Sequence, residues 1–177
     1  MGILAWMAFG VVVALAAFLI YAWTRPSTFA LTRSAHIDAP PARVYSFIDD
    51  FRQWALWSPW EKMDAELERR YSGAARGVGA VYEWQGAKTG QGRMEITDVA
   101  PAFRVGLDLD FIKPFKAHNK VIFKIDDDAG GSRVTWSMSG NQGLAGKMMS
   151  VFMSMDKMVG GQFDEGLANM KRVSEAA

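Results

Sequence analysis

The chain has 177 residues, half of them hydrophobic, with 20 Lys and Arg against 19 Asp and Glu, a formal charge of +1, two His and no Cys. That balance leaves no strong field, and the basic residues are scattered among acidic ones rather than striped, so no nucleic-acid partner is indicated. Thiol chemistry and a histidine-rich metal site are excluded, and no cofactor is implied.

Residues 2–24 carry no charge. As a helix, about 22 residues at 1.5 Å each rise about 33 Å, close to the roughly 30 Å hydrocarbon core of a bilayer. Trp6 near one end and Tyr21 and Trp23 near the other fit interfacial aromatic belts. A cleaved secretory signal has Lys or Arg before a shorter apolar core and a small-residue site after it. Here no basic side chain precedes the run, and Trp23, Arg25 and Pro26 follow it. A soluble core helix seldom lacks every polar position over six turns. The expectation is a single-pass membrane anchor over 1–24, a hinge at 25–28 and one domain over 29–175. Arg25, Arg33 and Arg43 on the C-terminal side favour a cytoplasmic domain by the positive-inside rule, with the periplasmic face as the alternative.

The domain opens with alternation. Phe29, Leu31, Arg33, Ala35 and Ile37 stand against Ala30, Thr32, Ser34 and His36, as in a half-buried strand. Asp38 then stands ready to cap a short helix that starts at the prolines and carries Val44, Tyr45, Phe47 and Ile48. A second short helical piece covers about 51–57. Six period-two strands follow at 66–71, 80–85, 90–99, 104–111, 120–126 and 133–139, separated by Gly, Pro or Asp turns. Each has one apolar face; Val105, Leu107, Leu109 and Phe111, for example, alternate with Gly106, Asp108 and Asp110. An antiparallel sheet with one dry face needs a cover. Residues 144–173 supply it: Leu144, Met148, Phe152, Met155, Val159, Phe163, Leu167 and Met170 form one stripe of a long helix, which Gly160 and Gly161 should weaken or bend.

This order resembles the α+β helix-grip fold of the START and birch-pollen-allergen superfamily (SRPBCC), in its polyketide cyclase/dehydrase and lipid-transport branch. The carrying residues are Ile37-Asp38-Ala39-Pro40-Pro41-Ala42-Arg43-Val44-Tyr45, with Phe51-Arg52-Gln53-Trp54 and Trp57-Ser58-Pro59-Trp60. The resemblance covers about 29–173. It implies a curved antiparallel sheet of about seven strands, two short helices and a long C-terminal helix, preceded here by one transmembrane helix. It also implies a cavity between sheet and helix.

The residues nominated for that cavity are Trp57, Trp60, Tyr82, Trp84, Met94, Ile96, Leu107, Leu109, Phe123, Trp136, Met138, Met148, Phe152 and Met155. Methionine is adaptable and suits a pocket that reshapes around its ligand. The same residues would serve an ordinary core equally well. Trp54, Trp57 and Trp60, at spacing three, are read either as pins holding the short helices to the sheet or as a gate at the cavity mouth, with an interfacial role as a third option. Catalytic signals are thin. His36 and His118 read as surface residues, and Asp108 and Asp110 point outward by phase. Arg69, Tyr71, Tyr82 and Arg104 are candidate polar groups whose direction phase leaves open.

The expected function is membrane-tethered binding or transfer of a hydrophobic small molecule: a lipid, isoprenoid or quinone. The alternatives are a cyclase or dehydratase acting on an apolar substrate and a chaperone-activator-like module that binds a protein. The partners expected are a hydrophobic molecule and the membrane, with any protein partner left open.

Overall fold

A computed structural model describes residues 2–176. The uncharged run forms α1 (Ile3–Thr24), with a mean hydropathy of 2.7 and none of its apolar window buried. It ends where it must, because Arg25 precedes Pro26 and the residue before a proline is pushed to extended backbone.

The sheet follows the alternation. Strands β1 (Thr28–Ile37), β2 (Glu68–Gly73), β3 (Ala80–Gly86), β4 (Gly90–Ala100), β5 (Arg104–Lys113), β6 (Ala117–Asp128) and β7 (Gly131–Asn141) form one antiparallel sheet in the order β1-β7-β6-β5-β4-β3-β2. From β2 to β7 each strand pairs with the next in sequence, and β1 closes the far edge against β7. Register shifts between Gln91 and Gly92 and between Ile96 and Asp98 bend the β4–β5 pair, which curves the sheet. The β6–β7 turn holds Ala129 and Gly130 at φ 50° and 85°, the left-handed pair that a tight hairpin requires. The strand expected from residue 66 starts at Glu68. The Asp64 carboxylate accepts from the N–H of Glu66 (3.1 Å) and of Lys88 (2.8 Å), holding the preceding residues in a turn.

Between β1 and β2 lie α2 (Pro41–Ser46), a 3-10 turn (Phe51–Gln53), α3 (Trp54–Trp57) and a second 3-10 turn (Pro59–Lys62). Asp38 does not cap α2; Pro40 occupies the cap position with no side-chain bond. Asp38 is drawn instead to His36 Nε2 at 2.8 Å and Lys171 Nζ at 3.2 Å.

The single long C-terminal helix is two helices, α4 (Leu144–Phe152) and α5 (Met155–Glu175). The break falls at Met153 and Ser154 rather than at Gly160 and Gly161. Met153 is extended, and the Ser154 hydroxyl accepts from the N–H of Lys157, starting a new helix with Asp156 in its first turn. Gly160 serves close approach: a Cβ there would meet Arg33 Nη2 at 2.8 Å, and that guanidinium joins β1 to Asp156 at 2.5 Å. While α5 covers the sheet, α4 turns away to lie along α1, bringing Phe152 and Phe18 to 5.5 Å between ring centroids.

His36 is a surface residue, as expected, but it is clamped: Nδ1 faces Asp128 at 3.1 Å as Nε2 faces Asp38. The hydrogen bonds to Asp128 and then to Asp38 raise its pKa above the ordinary value. The clamp's contribution to stability is therefore complete below about pH 6.5, the unfolded value, and is lost as pH rises through the raised folded value. The denaturant midpoint should decline over that interval, and His36→Gln should flatten the decline; an unchanged profile would rule the clamp out.

Candidate functional site

The concave face of the sheet and the first half of α5 border a partly open cavity of about 130 Å³. Its walls come from five strands, α5, and the segment from Trp54 to Leu67. Local sequence explains the shape. Trp54 and Trp57 donate through Nε1 to the carbonyls of Ile48 and Phe47, each at 2.9 Å, which pins α3 to the preceding loop. Ser58, before Pro59, turns extended and swings Trp60 out of that row. Trp60 then meets Trp136 edge-on, 5.7 Å between centroids. Trp136 stacks on Phe163 at 4.1 Å, with its Cζ3 edge against Gly166, where an added Cβ would sit 2.8 Å away. Trp84 lies over Gly92, where any Cβ would enter its ring.

Of the nominated residues, Trp60, Tyr82, Trp84, Met94, Leu107, Leu109, Trp136 and Met138 line the cavity. Trp57, Ile96 and Phe123 are completely buried outside the lining, in solid core. Met155 packs on the core beyond the lining. Met148 and Phe152 stand on α4, which leaves the sheet, and Phe152 is 78% exposed. Trp54 and Trp57 are thus pins, Trp54 also bordering the cavity, while Trp60 is a wall. Phe111, Val121, Val159 and Phe163 also line the space. All four continue the periodicities of their elements, so strand and helix phase could have found them. Glu61, Ser58, Leu67 and Thr89 sit on irregular backbone, where no periodicity marks them.

Glu61 is the polar centre of the wall. Its carboxylate, 6% exposed, accepts from Tyr82 Oη at 2.5 Å and from Arg69 Nε at 2.6 Å. Burial, and then the bond to Glu61, hold the Tyr82 phenol far above its ordinary pKa, so it remains a proton donor at any physiological pH. Two further polar groups of the lining, Trp136 Nε1 and Thr89 Oγ1, are buried without a hydrogen-bond partner among the described residues. Arg104 is turned outward onto Asp98, and His118 pairs with Asp110 on the outer face at 2.7 Å.

A curved seven-stranded sheet gripping a C-terminal helix around an apolar cavity defines a helix-grip protein of the hydrophobic-ligand-binding kind. The family model for polyketide cyclase/dehydrase and lipid transport matches residues 28–175, and the chain belongs to that family. None of the curated proteins matches it. Among solved structures it is similar to a protein from Chromobacterium violaceum, with 16% identity, a TM-score of 0.61, and 86% of this chain and 100% of that one covered. It is also similar to the Aha1 dimer from Colwellia psychrerythraea, with 14% identity, a TM-score of 0.57, and 84% and 97% covered. A third similarity is to the di-domain ARO/CYC protein BexL of the BE-7585A biosynthetic pathway, with 17% identity, a TM-score of 0.61, and 98% and 61% covered. At these identities the likeness speaks for the fold alone.

Proposed function

We propose that the protein binds a hydrophobic small molecule, a lipid, isoprenoid or quinone, in the cavity between sheet and α5, and exchanges it with a bilayer that α1 spans. The observation that carries this reading is a partly open, almost wholly apolar cavity in the half of the grip nearest α1. The register supports that location. Thr28, four residues after α1, pairs with Asn141, and Met138 of the lining lies one turn of the pleat further in, opposite Leu31. An engineered apolar cavity of about 150 Å³ holds a benzene-sized guest, whereas drug-sized ligands take roughly 300–1,000 Å³. A cavity of this volume therefore matches a ring or a short chain segment, and a larger ligand would extend through its open side or need its methionine and tryptophan walls to part.

The placement of α4 supports the tether. Phe18 lies six residues inside the end of α1, about 9 Å along the helix axis. Phe152 touches Phe18, and Lys147 Nζ reaches the Trp23 carbonyl at 3.3 Å. With α1 in a bilayer, α4 lies at headgroup depth, and its exposed Met149 and Phe152, with Met153 just beyond its end, meet the acyl boundary. The β5–β6 tip, where Phe115 is 70% exposed between Lys113 and Lys116, stands at the same end of the sheet. Arg25, Arg33 and Arg43 favour the cytoplasmic side for the domain.

The test is a titration of the detergent-solubilised protein with a neutral apolar fluorophore of one or two rings. Wild type should saturate at one probe per chain. Leu109→Trp, which puts an indole into the cavity, should weaken binding at least about tenfold while leaving a cooperative melt. A linear, unsaturable response shared by both proteins would sink the reading.

One observation favours a second reading, an enzyme of cyclase or dehydratase type: the buried Glu61–Tyr82 pair borders the cavity. In this reading the Tyr82 O–H would leave Glu61 for a substrate carbonyl, and the Glu61 carboxylate so freed would accept a proton. This reading expects Tyr82→Phe to abolish turnover of an apolar ketone while leaving probe binding intact. The cavity within the grip weighs against a pure protein-interaction module, which calls for a packed core.

A further inference from the structure

From the unpartnered indole N–H of Trp136 we infer that the cavity is built for a neutral ring or chain bearing a carbonyl-type hydrogen-bond acceptor, not for a pure hydrocarbon and not for an anionic lipid. The inference deepens the proposed binding function and rests on it. Trp136 is 3% exposed, and its Nε1 has no hydrogen-bond partner among the described residues. The other buried tryptophan donors are served: Trp54 and Trp57 each reach a carbonyl at 2.9 Å. Burying an indole donor unpaired is costly, and buried polar groups are overwhelmingly paired. Phenylalanine would fill the same stack on Phe163 without that cost.

The ring's orientation gives the donor its direction. Cζ3 abuts Gly166 of α5, so the pyrrole N–H lies on the edge of the indole away from Gly166. Trp136 is itself part of the cavity wall. An acceptor placed in the cavity would complete the donor. Thr89 Oγ1, likewise unpartnered in the lining, lies at the β3–β4 turn toward the α1 end and offers a second contact to a ligand long enough to reach it. The charge of the acceptor is constrained as well. Glu61 places a buried carboxylate on the same wall, with its partners Tyr82 and Arg69 already engaged. A carboxylate or a phosphate would lose its hydration in that apolar space with no Lys or Arg among the described residues of the lining to pair it, whereas a ketone, quinone or ester oxygen bears no such cost.

The test uses two bicyclic probes of matched shape, indane and 1-indanone, which differ by one carbonyl. They are titrated into the full-length ¹⁵N-labelled protein in detergent, with each probe's partition into empty micelles subtracted. The indole resonance of Trp136 is assigned by its loss in Trp136→Phe or, if that variant does not fold, by its proximity to Phe163. The expected result is that 1-indanone binds roughly five- to tenfold more tightly, the value of one hydrogen bond. It should also move the Trp136 Hε1 signal downfield, which indane does not. Equal affinities with no carbonyl-specific shift at Hε1 would overturn the inference and leave the apolar-cavity reading standing. Failure of both probes to bind would overturn the two together.

Discussion

Trp57→Ala is expected to cost about 3–5 kcal/mol, the range for removing a fully buried large aromatic side chain. Trp57 has no exposed surface, donates to the Phe47 carbonyl at 2.9 Å, and meets Trp136 and Phe123 edge-on at 5.5 and 5.9 Å. The truncation would open a void behind the cavity wall and free the α2–α3 connection from the sheet. For a domain of this size the melting temperature should fall by roughly 10 °C. Ile122→Ala is the control. Ile122 sits between Val121 and Phe123 but faces outward at 42% exposure, and its loss should change stability by no more than about 0.5 kcal/mol. Similar melting temperatures for both variants would contradict the packing described for Trp57.

The second large effect is expected at Glu61. Glu61→Leu keeps the volume but leaves the Tyr82 hydroxyl buried without its acceptor, a loss of about 1–3 kcal/mol. Arg69 has a side chain 33% exposed and can turn to water, so its lost ion pair adds little. Tyr82→Phe removes the same bond from the other side and leaves the carboxylate on Arg69 alone. If the two groups act as one unit, the double variant Glu61→Leu/Tyr82→Phe should be more stable than the sum of the single losses predicts, because no orphaned partner remains. Chemical denaturation of the four proteins reads this directly. Strict additivity would mean that the 2.5 Å contact contributes nothing specific.

These two sites also show where the sequence was legible. Trp57 and Phe123 were visible as large apolar residues in a helical-turn or strand phase, and the elements followed from such phases. The alternation from β1 to β7 and the apolar stripe over 144–173 gave the strands, with ends shifted by only a few residues, and the covering helix, while the helix-grip architecture was what the resemblance carried by residues 37–45 and 51–60 implied. What phase does not report is depth. Ile96 and Phe123 share the inward face of the sheet with Leu107 and Leu109, yet the first two are packed solidly and the last two border the cavity, a difference that strand phase does not carry. Glu61 was missed because it stands in a 3-10 turn, where a charged residue next to Lys62 reads as solvated surface. Its burial is set by Tyr82, 21 residues away. The break at Ser154 was missed for a similar reason. The stripe continues unbroken through Phe152 and Met155, which hides the extended Met153, the Ser154 cap and the departure of α4 towards α1.

The central claim, that an apolar molecule is held in this cavity beside a membrane, is tested most directly by native mass spectrometry of the full-length protein released from its own membranes, alongside Leu109→Trp. The account predicts a peak heavier than the bare 19.6 kDa chain by one apolar molecule in the wild type, and only the bare chain in the variant. Bare chain alone in both, even after incubation with membrane extract, would contradict it.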